Sequence, residues 1–299
     1  MTDQPRAAHS DDPLVAPLIA WYLANARDLP WRRAGVAAWG VLVSEIMLQQ
    51  TPANRVTPYW RAWMERWPRP SDLATATTAE VIQAWGTLGY PKRALRLQQC
   101  GSVIARDHDD VVPRSESTLL GLPGIGEYTA AAIAGFAYGQ RTVVLDTNIR
   151  RVIARAHVGE ALPLPHLTKS ERDMATSIVP CDPATAVLWN QSTMELGALI
   201  CQARTADCDA CPVRSPCAWL ANGRPGDLHA DRRRSQPWEG TDRQARGRVM
   251  ALLREAEGEL VPVAAILANS PRQAQTRRAI ETLIADGLAT QLGEAVRLP

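Results

Sequence analysis

Apolar positions recur at helical spacing along most of this chain. PLIAWYLANA, residues 17–26, reads as one helix, which LPWR breaks at Pro30. VLVSEIMLQQ, residues 41–50, predicts a second that runs to Thr51-Pro52, and residues 53–67 a third, closed by PRP. Residues 79–88 and 93–107 predict two more. LPGIGEYTAAAIAGFAYG starts as a turn and continues as an Ala-rich helix. VVLDTNIRRVIARAHVG is a short extended piece feeding a helix, and residues 171–178 and 184–200 are helical again. No alternating strand stands out before the cysteines, so the first 220 residues predict an all-α fold.

The pattern changes after Cys217. Residues 222–240 carry Gly, Pro and many Arg, including Arg232, Arg233 and Arg234, and read as an Arg-rich linker. TDRQARGRVMALLREA, VPVAAIL and QTRRAIETLIADG then predict three helices, the last ending at Gly287. LATQLGEAVRLP predicts a β-hairpin, which completes a small winged-helix-like pattern. The expected organisation is a disordered tail over 1–13, a helical core over 14–221, a linker over 222–240 and a small domain over 241–299.

Composition narrows this only a little. With 46% apolar and 21% charged residues the chain is globular rather than disordered. A net charge of +2 gives no strong overall field, so a nucleic-acid partner has to be held by local patches. MTDQPRAAHSDDP lacks the apolar core of a signal peptide, and no run of about 18 apolar residues predicts a membrane span. A cytoplasmic protein is expected. In that reducing compartment, clustered cysteines point to metal rather than disulfides. Cys100 and Cys181 lie apart, in apolar contexts, and are expected in the core.

Four segments carry candidate chemistry. In ICQARTADCDACPVRSPCAW, residues 200–219, the gaps between Cys201, Cys208, Cys211 and Cys217 are six, two and five residues. No His intervenes. An all-thiolate set suits an iron–sulfur cluster, with zinc the alternative. Arg204 and Arg214 would face outward from this loop. In LPGIGEYTA, Gly124 and Gly126 allow a tight turn, and the following helix N-terminus offers free N–H groups to a phosphate; an ordinary turn fits the same letters. Glu45 shares a helical face with Val41, Leu42 and Leu48. A carboxyl among such neighbours has a raised pKa and can act as a general acid, unless it sits at the stripe's edge or pairs with an Arg. Asp146 and Asn148 stand where an extended segment becomes a helix. Either makes a good N-cap, and the helix dipole would keep a carboxylate there charged. One protonated and one charged carboxyl is a pairing that glycosidic cleavage can use.

Taken together, LPWR, SEIMLQQT, TLGY, LPGIGEYTA, LDTNIRRV, WNQSTMELGALIC and the cysteine loop are specific. From Leu14 to Leu220 the chain resembles the helix-hairpin-helix DNA glycosylases with an iron–sulfur loop, the superfamily of endonuclease III. Within it the chain looks most like the MutY-type adenine glycosylases. The resemblance implies a [4Fe–4S] cluster on Cys201, Cys208, Cys211 and Cys217, and a DNA phosphate held near Gly124 and Gly126. It makes Glu45 the acid that protonates adenine, and Asp146 the essential carboxylate, assisted by Tyr128 and Asn148. Trp31, Arg32, Leu48 and Gln191 would line the adenine pocket; Gln50, Thr51 and Tyr90 would wedge into the duplex and meet the opposite base.

Tyr128 stands where relatives with lyase activity carry the Lys that forms a Schiff base. A monofunctional enzyme is therefore expected, leaving an abasic site in double-stranded DNA that held adenine opposite 8-oxoguanine or guanine. It is expected to act as a monomer. Thr87 and Pro91 depart from the family pattern, which has Gly and Tyr there. The tail after residue 240 is too short and too helical for the Nudix-like domain of many relatives. Two competing readings are a glycosylase for another lesion, such as thymine opposite guanine or an oxidised pyrimidine, and a non-catalytic DNA-binding regulator. Glu45 together with Tyr128 weighs against the first, and Glu45 together with Asp146 against the second.

Overall fold

The computed structural model describes residues 12–233 and 238–299. All but the last two residues of the expected N-terminal tail, and residues 234–237 of the expected linker, lie outside that range. The α-helices, in order, are α1 Val15–Asn25, α2 Ala38–Leu48, α3 Ala53–Arg66, α4 Pro70–Ala74, α5 Thr78–Trp85, α6 Lys92–Asp107, α7 Glu116–Leu120 and α8 Glu127–Tyr138. They continue with α9 Thr147–Ile153, α10 Lys169–Ile178, α11 Pro183–Leu199, α12 Ala218–Ala221, α13 Asp242–Glu255, α14 Val263–Ala268 and α15 Gln273–Ala285. The described residues are all-α apart from three short strands, β1 Val261–Pro262, β2 Thr290–Leu292 and β3 Ala295–Arg297. Among the described residues no helix is long and apolar enough to cross a membrane.

Local chemistry sets the helix ends. At α5, Thr77 Oγ1 accepts from the Glu80 amide at 3.2 Å while the Glu80 carboxylate accepts from the Thr77 amide at 2.9 Å. Asp182 caps α11 through the Thr185 amide at 2.8 Å, and Thr168 and Thr241 cap α10 and α13. α5 stops at Trp85, short of the expected Leu88, because Gly86 turns the chain out at φ +53°.

The chain forms two compact units. The first holds residues 12–28, 114–120 and 125–233. Here α11 packs against α1 and α9 around Leu18, Ala132, Val152, Trp189 and Leu196. α9 runs on into a π-helical turn, Ala154–Val158. Cys181, expected in the core, is exposed. It sits in the bend after Pro180 that joins α10 to α11, whereas Cys100 on α6 is buried and its thiol is pushed up to about 12 by that burial.

The second unit holds residues 29–113, 121–124 and 238–299. Much of the Trp content gathers here: Trp63 meets Trp67 and Trp85 edge-on at 4.9 and 5.6 Å. The indole of Trp85 also donates to the Gly89 carbonyl at 2.9 Å and so fixes the 86–90 turn. The C-terminal helices and hairpin build the winged-helix-like pattern, with one correction. VPVAAIL is not all helix: Val261 and Pro262 form β1, paired antiparallel to β3 in a sheet of order β1-β3-β2. Pro262 is disfavoured inside a helix, which loses a backbone donor there, but it fits an edge strand and the entry to α14. The C-terminal core of Val249, Leu253, Ile280, Leu283 and Val296 includes Ile82 of α5, so residues 238–299 cluster with residues 29–113.

Candidate functional site

In the first unit the letters LDTNIRR build a continuous polar relay. Asp146 is the N-cap of α9; one carboxylate oxygen accepts from the Ile149 amide at 2.6 Å and the other from Asn148 Nδ2 at 2.8 Å. Asn148 Oδ1 accepts from Arg151 at 2.8 Å, and Arg151 Nε donates to the Cys201 carbonyl at 2.7 Å. Two side chains, Asn148 and Arg151, therefore join the candidate carboxylate to the first cysteine of the loop. Gly197 of α11 makes the relay possible, since a Cβ there would lie 2.7 Å from the Asn148 Cβ. The direction of its pKa shift differs from expectation. Burial raises the Asp146 pKa above its ordinary value, and this outweighs the hydrogen bonds from Ile149 and Asn148 and the charge of Arg151.

Two other expected residues lie in this unit. Tyr128, in the first turn of α8, packs half-buried against the hydrophobic core. Gln191 of α11 accepts from the Tyr22 hydroxyl at 3.3 Å. Gly126 is the N-cap of α8 and supplies no side chain to the helix amides, and a Cβ at Gly126 would meet nothing within 4 Å. The helix N-terminus is thus open to an anion.

Cys201, Cys208, Cys211 and Cys217 line one small cavity with Trp219 and Leu220. Arg155 reaches into the loop, donating to Cys201 Sγ at 3.2 Å and the Gln202 carbonyl at 2.8 Å, and lies 4.4 Å from the Trp219 ring. Burial pushes the Cys211 thiol up to about 11, and the other three cysteines add to it. A positive metal centre among them would reverse that shift. Among the described residues no three His, Cys, Asp or Glu side chains converge closely enough to hold a single ion. Four thiols around one cavity make an all-sulfur donor set, which suits an iron–sulfur cluster and also zinc. Arg204 and Arg214 are exposed, and Arg214 pairs with Asp209 at 3.2 Å.

In the second unit, Glu45 is buried, only 5% exposed, and α2 is buried on every side from Trp39 to Met47. The carboxyl thus sits inside an enclosed helix rather than at the edge of a stripe. Trp31 is buried in the turn Pro30–Arg32 with its ring edge-on to Trp60 at 5.9 Å; Arg32 and Leu48 are half-buried. Gly124, at φ +79°, lies against Arg96, whose Cβ would be 3.0 Å from an added Cβ.

Gln50, Thr51 and Tyr90 come together through a residue that sequence reasoning passed over. The Arg93 guanidinium, buried at 9% exposure, donates to the carbonyls of Ile46 at 2.9 Å, Gln49, Leu88 at 3.2 Å and Gly89 at 3.0 Å. It also reaches Thr51 Oγ1 at 3.3 Å. One side chain thereby ties the loop after α2 to the loop before α6. Its desolvation lowers its pKa to about 10. Both Gln50 and Tyr90 have left-handed backbones, at φ 56° and 49°. Thr87, where relatives have Gly, needs no such conformation; its hydroxyl bonds the Tyr59 hydroxyl at 2.9 Å.

Residues 43–176 match the HhH-GPD superfamily of base excision DNA repair proteins. The chain is 50% identical to the adenine DNA glycosylase of Mycobacterium tuberculosis over 92% of its own length and 89% of the relative's. A thermostable thymine-DNA glycosylase structure superposes with TM-score 0.63 at 27% identity, covering 70% of this chain and 96% of that one. Endonuclease III trapped on DNA superposes with TM-score 0.61 at 18% identity, over 71% and 96% respectively, a likeness of fold.

Proposed function

We infer the function from one premise: the chain belongs to the adenine DNA glycosylases, within the HhH-GPD superfamily of base excision DNA repair proteins. It is an N-glycosyl hydrolase that excises adenine from DNA in base excision repair. Our finer reading is that the adenine stands opposite 8-oxoguanine or guanine. The enzyme would be a cytoplasmic, nucleoid-associated monomer that leaves an abasic site without cutting the strand. The observation that carries this reading is the enclosed Glu45 carboxyl, held out of water on a helix buried on every side from Trp39 to Met47.

In this mechanism adenine is flipped out of the duplex, because its reacting atoms are inaccessible in the stack. Trp31, Arg32, Leu48 and Gln191 receive it, while Gln50, Thr51 and Tyr90 occupy the gap in the helix. Glu45 delivers a proton to the base, at N7. The C1′–N9 bond then breaks, its electrons leaving with the base, and positive charge develops on the sugar. The Asp146 carboxylate stabilises that charge, and its two hydrogen-bond donors fix its oxygens in place. Water adds at C1′ and loses a proton. Tyr128 offers no amine for a Schiff base, which supports hydrolysis without strand cleavage. The amides at the start of α8, beyond Gly126, suit a phosphate of the bound strand.

Cys201, Cys208, Cys211 and Cys217 would hold a [4Fe–4S] cluster, which when bound would cross-link the loop rather than take part in bond cleavage. The purified protein should be brown, with broad visible absorbance. A colourless protein carrying a single zinc would refute the cluster.

The opposite base is tested with matched duplexes containing adenine opposite 8-oxoguanine, guanine or cytosine, and thymine opposite guanine. Abasic-site formation is expected on the first two only. Activity confined to the thymine duplex would overturn the reading.

A further inference from the structure

Tyr90 sits in the short loop between α5 and α6 with a left-handed backbone, at φ 49°. A residue with a side chain keeps that conformation only where its surroundings over-determine it. From inside, the loop is held by the Arg93 guanidinium, which donates to the carbonyls of Leu88 and Gly89. From outside it is held by residues far along the chain, in the same compact unit. Asp286, the C-cap of α15, pairs with Lys92 Nζ at 2.6 Å through one carboxylate oxygen and with Arg246 of α13 at 2.6 Å through the other. Arg243, one turn before Arg246, lies 4.3 Å from the Tyr90 ring. Further along α13, the Arg254 carbonyl accepts from Gln83 Nε2 of α5 at 3.1 Å.

Packing alone does not require these contacts. Ile82, Val249, Leu253 and Leu283 already share one core, which fixes the C-terminal helices on α5. The ion pair and the ring contact fall elsewhere, on the two residues that flank Pro91. A lone exposed ion pair contributes little. Asp286 differs because its carboxylate takes two cations and is only 23% exposed, so it joins α6, α13 and α15 at one point.

We propose that Asp286 is a positioning residue for Tyr90: acting through Lys92, it holds the loop in the shape that Tyr90 needs to enter the DNA helix. The proposal rests on the reading that places Tyr90 there. A loop already set in its inserted shape loses less freedom on binding, so more encounters with a mispair lead to a flipped base. The sign of the effect separates this role from long-range electrostatics. Removing a carboxylate makes the chain more positive, which strengthens DNA binding. Positioning lowers insertion and excision instead.

The test uses the full chain and a duplex with a non-cleavable adenine analogue opposite guanine and 2-aminopurine beside it, whose fluorescence rises when neighbouring bases unstack. Binding of wild type should raise the fluorescence, and Tyr90→Ala should abolish the rise. Asp286→Asn should bind the duplex at least as tightly as wild type. It should nevertheless lower the rise and slow single-turnover excision of adenine by about 5–10-fold, within the range for residues of one coupled network. Lys92→Met should lower both to the same extent, and the two substitutions together should be no worse than either alone. Lys92→Arg, which keeps the ion pair, should stay near wild type. Glu281→Gln, the same charge change on the exposed face of α15, should leave the rise and the excision rate unchanged. Additive losses in the double variant, an unchanged rise in Asp286→Asn, or an equal loss in Glu281→Gln would overturn the proposal. A merely structural role would reduce the amplitude of excision and leave its rate constant alone, and that result would overturn it too. A wild type that binds without any rise would sink the reading of Tyr90 itself, and the proposal with it.

Discussion

Glu45→Gln is expected to bind adenine-mispair duplex with near wild-type affinity and to excise adenine about 10²–10⁴-fold more slowly, the range that positioned proton transfer contributes. The substitution keeps shape and removes the transferable proton. It also keeps the side chain's size and an acceptor oxygen where the buried carboxyl stood, so the fold should hold. Single-turnover excision and anisotropy measured on one preparation check this. Near-normal turnover would end the assignment of Glu45 as the acid. A parallel loss of affinity would instead make it a residue that shapes the pocket.

Asp146→Asn is expected to lower excision by about 10²–10³-fold, the range for removing one preorganised electrostatic partner of a transition state. The stability result is less intuitive. Asn caps helices about as well as Asp, so the Ile149 amide keeps an acceptor, while the bond from Asn148 is lost at about 1 kcal/mol. Against that loss stands the desolvated carboxylate. Because burial raises the folded-state pKa of Asp146 above the ordinary 3.8, its favourable contribution is complete below that value and disappears as pH rises through the folded value. The variant has no such titration. Its melting temperature relative to wild type should therefore improve between pH 3.5 and 7.5. Melts across that range decide the matter, and a relative decline with pH would show that hydrogen bonding, not burial, dominates at this carboxylate.

The helical framework was legible because its signals are local: capping letters such as Thr77 with Glu80, stop signals such as Gly86, and apolar spacing. The cysteine loop was legible because four thiols in a short polar stretch have few other uses. Arg93 was not legible, since almost everything it touches is backbone carbonyl and the letters of a sequence do not show where carbonyls converge. Arg151 and Arg155 escaped notice for the same reason; each satisfies carbonyls near Cys201 that lie far away in sequence. The raised pKa of Asp146 was missed because an N-cap position argues for charge, and only packing around α9 reveals the cost of keeping it. β1 was hidden in an apolar run that fits either element, where Pro262 was the available warning.

Gln50 and Tyr90 hold left-handed backbones that side-chain-bearing residues adopt at a cost of about 1–3 kcal/mol each. Glycine at either position would relieve that cost and delete the side chain that the proposed function sets against the DNA. Selection for folding and selection for repair therefore pull in opposite directions at these two codons. A lineage released from the need to repair its DNA should lose the two side chains early, as its enzyme becomes sturdier and idle. Screens that reward thermal resistance alone should enrich the same two glycines.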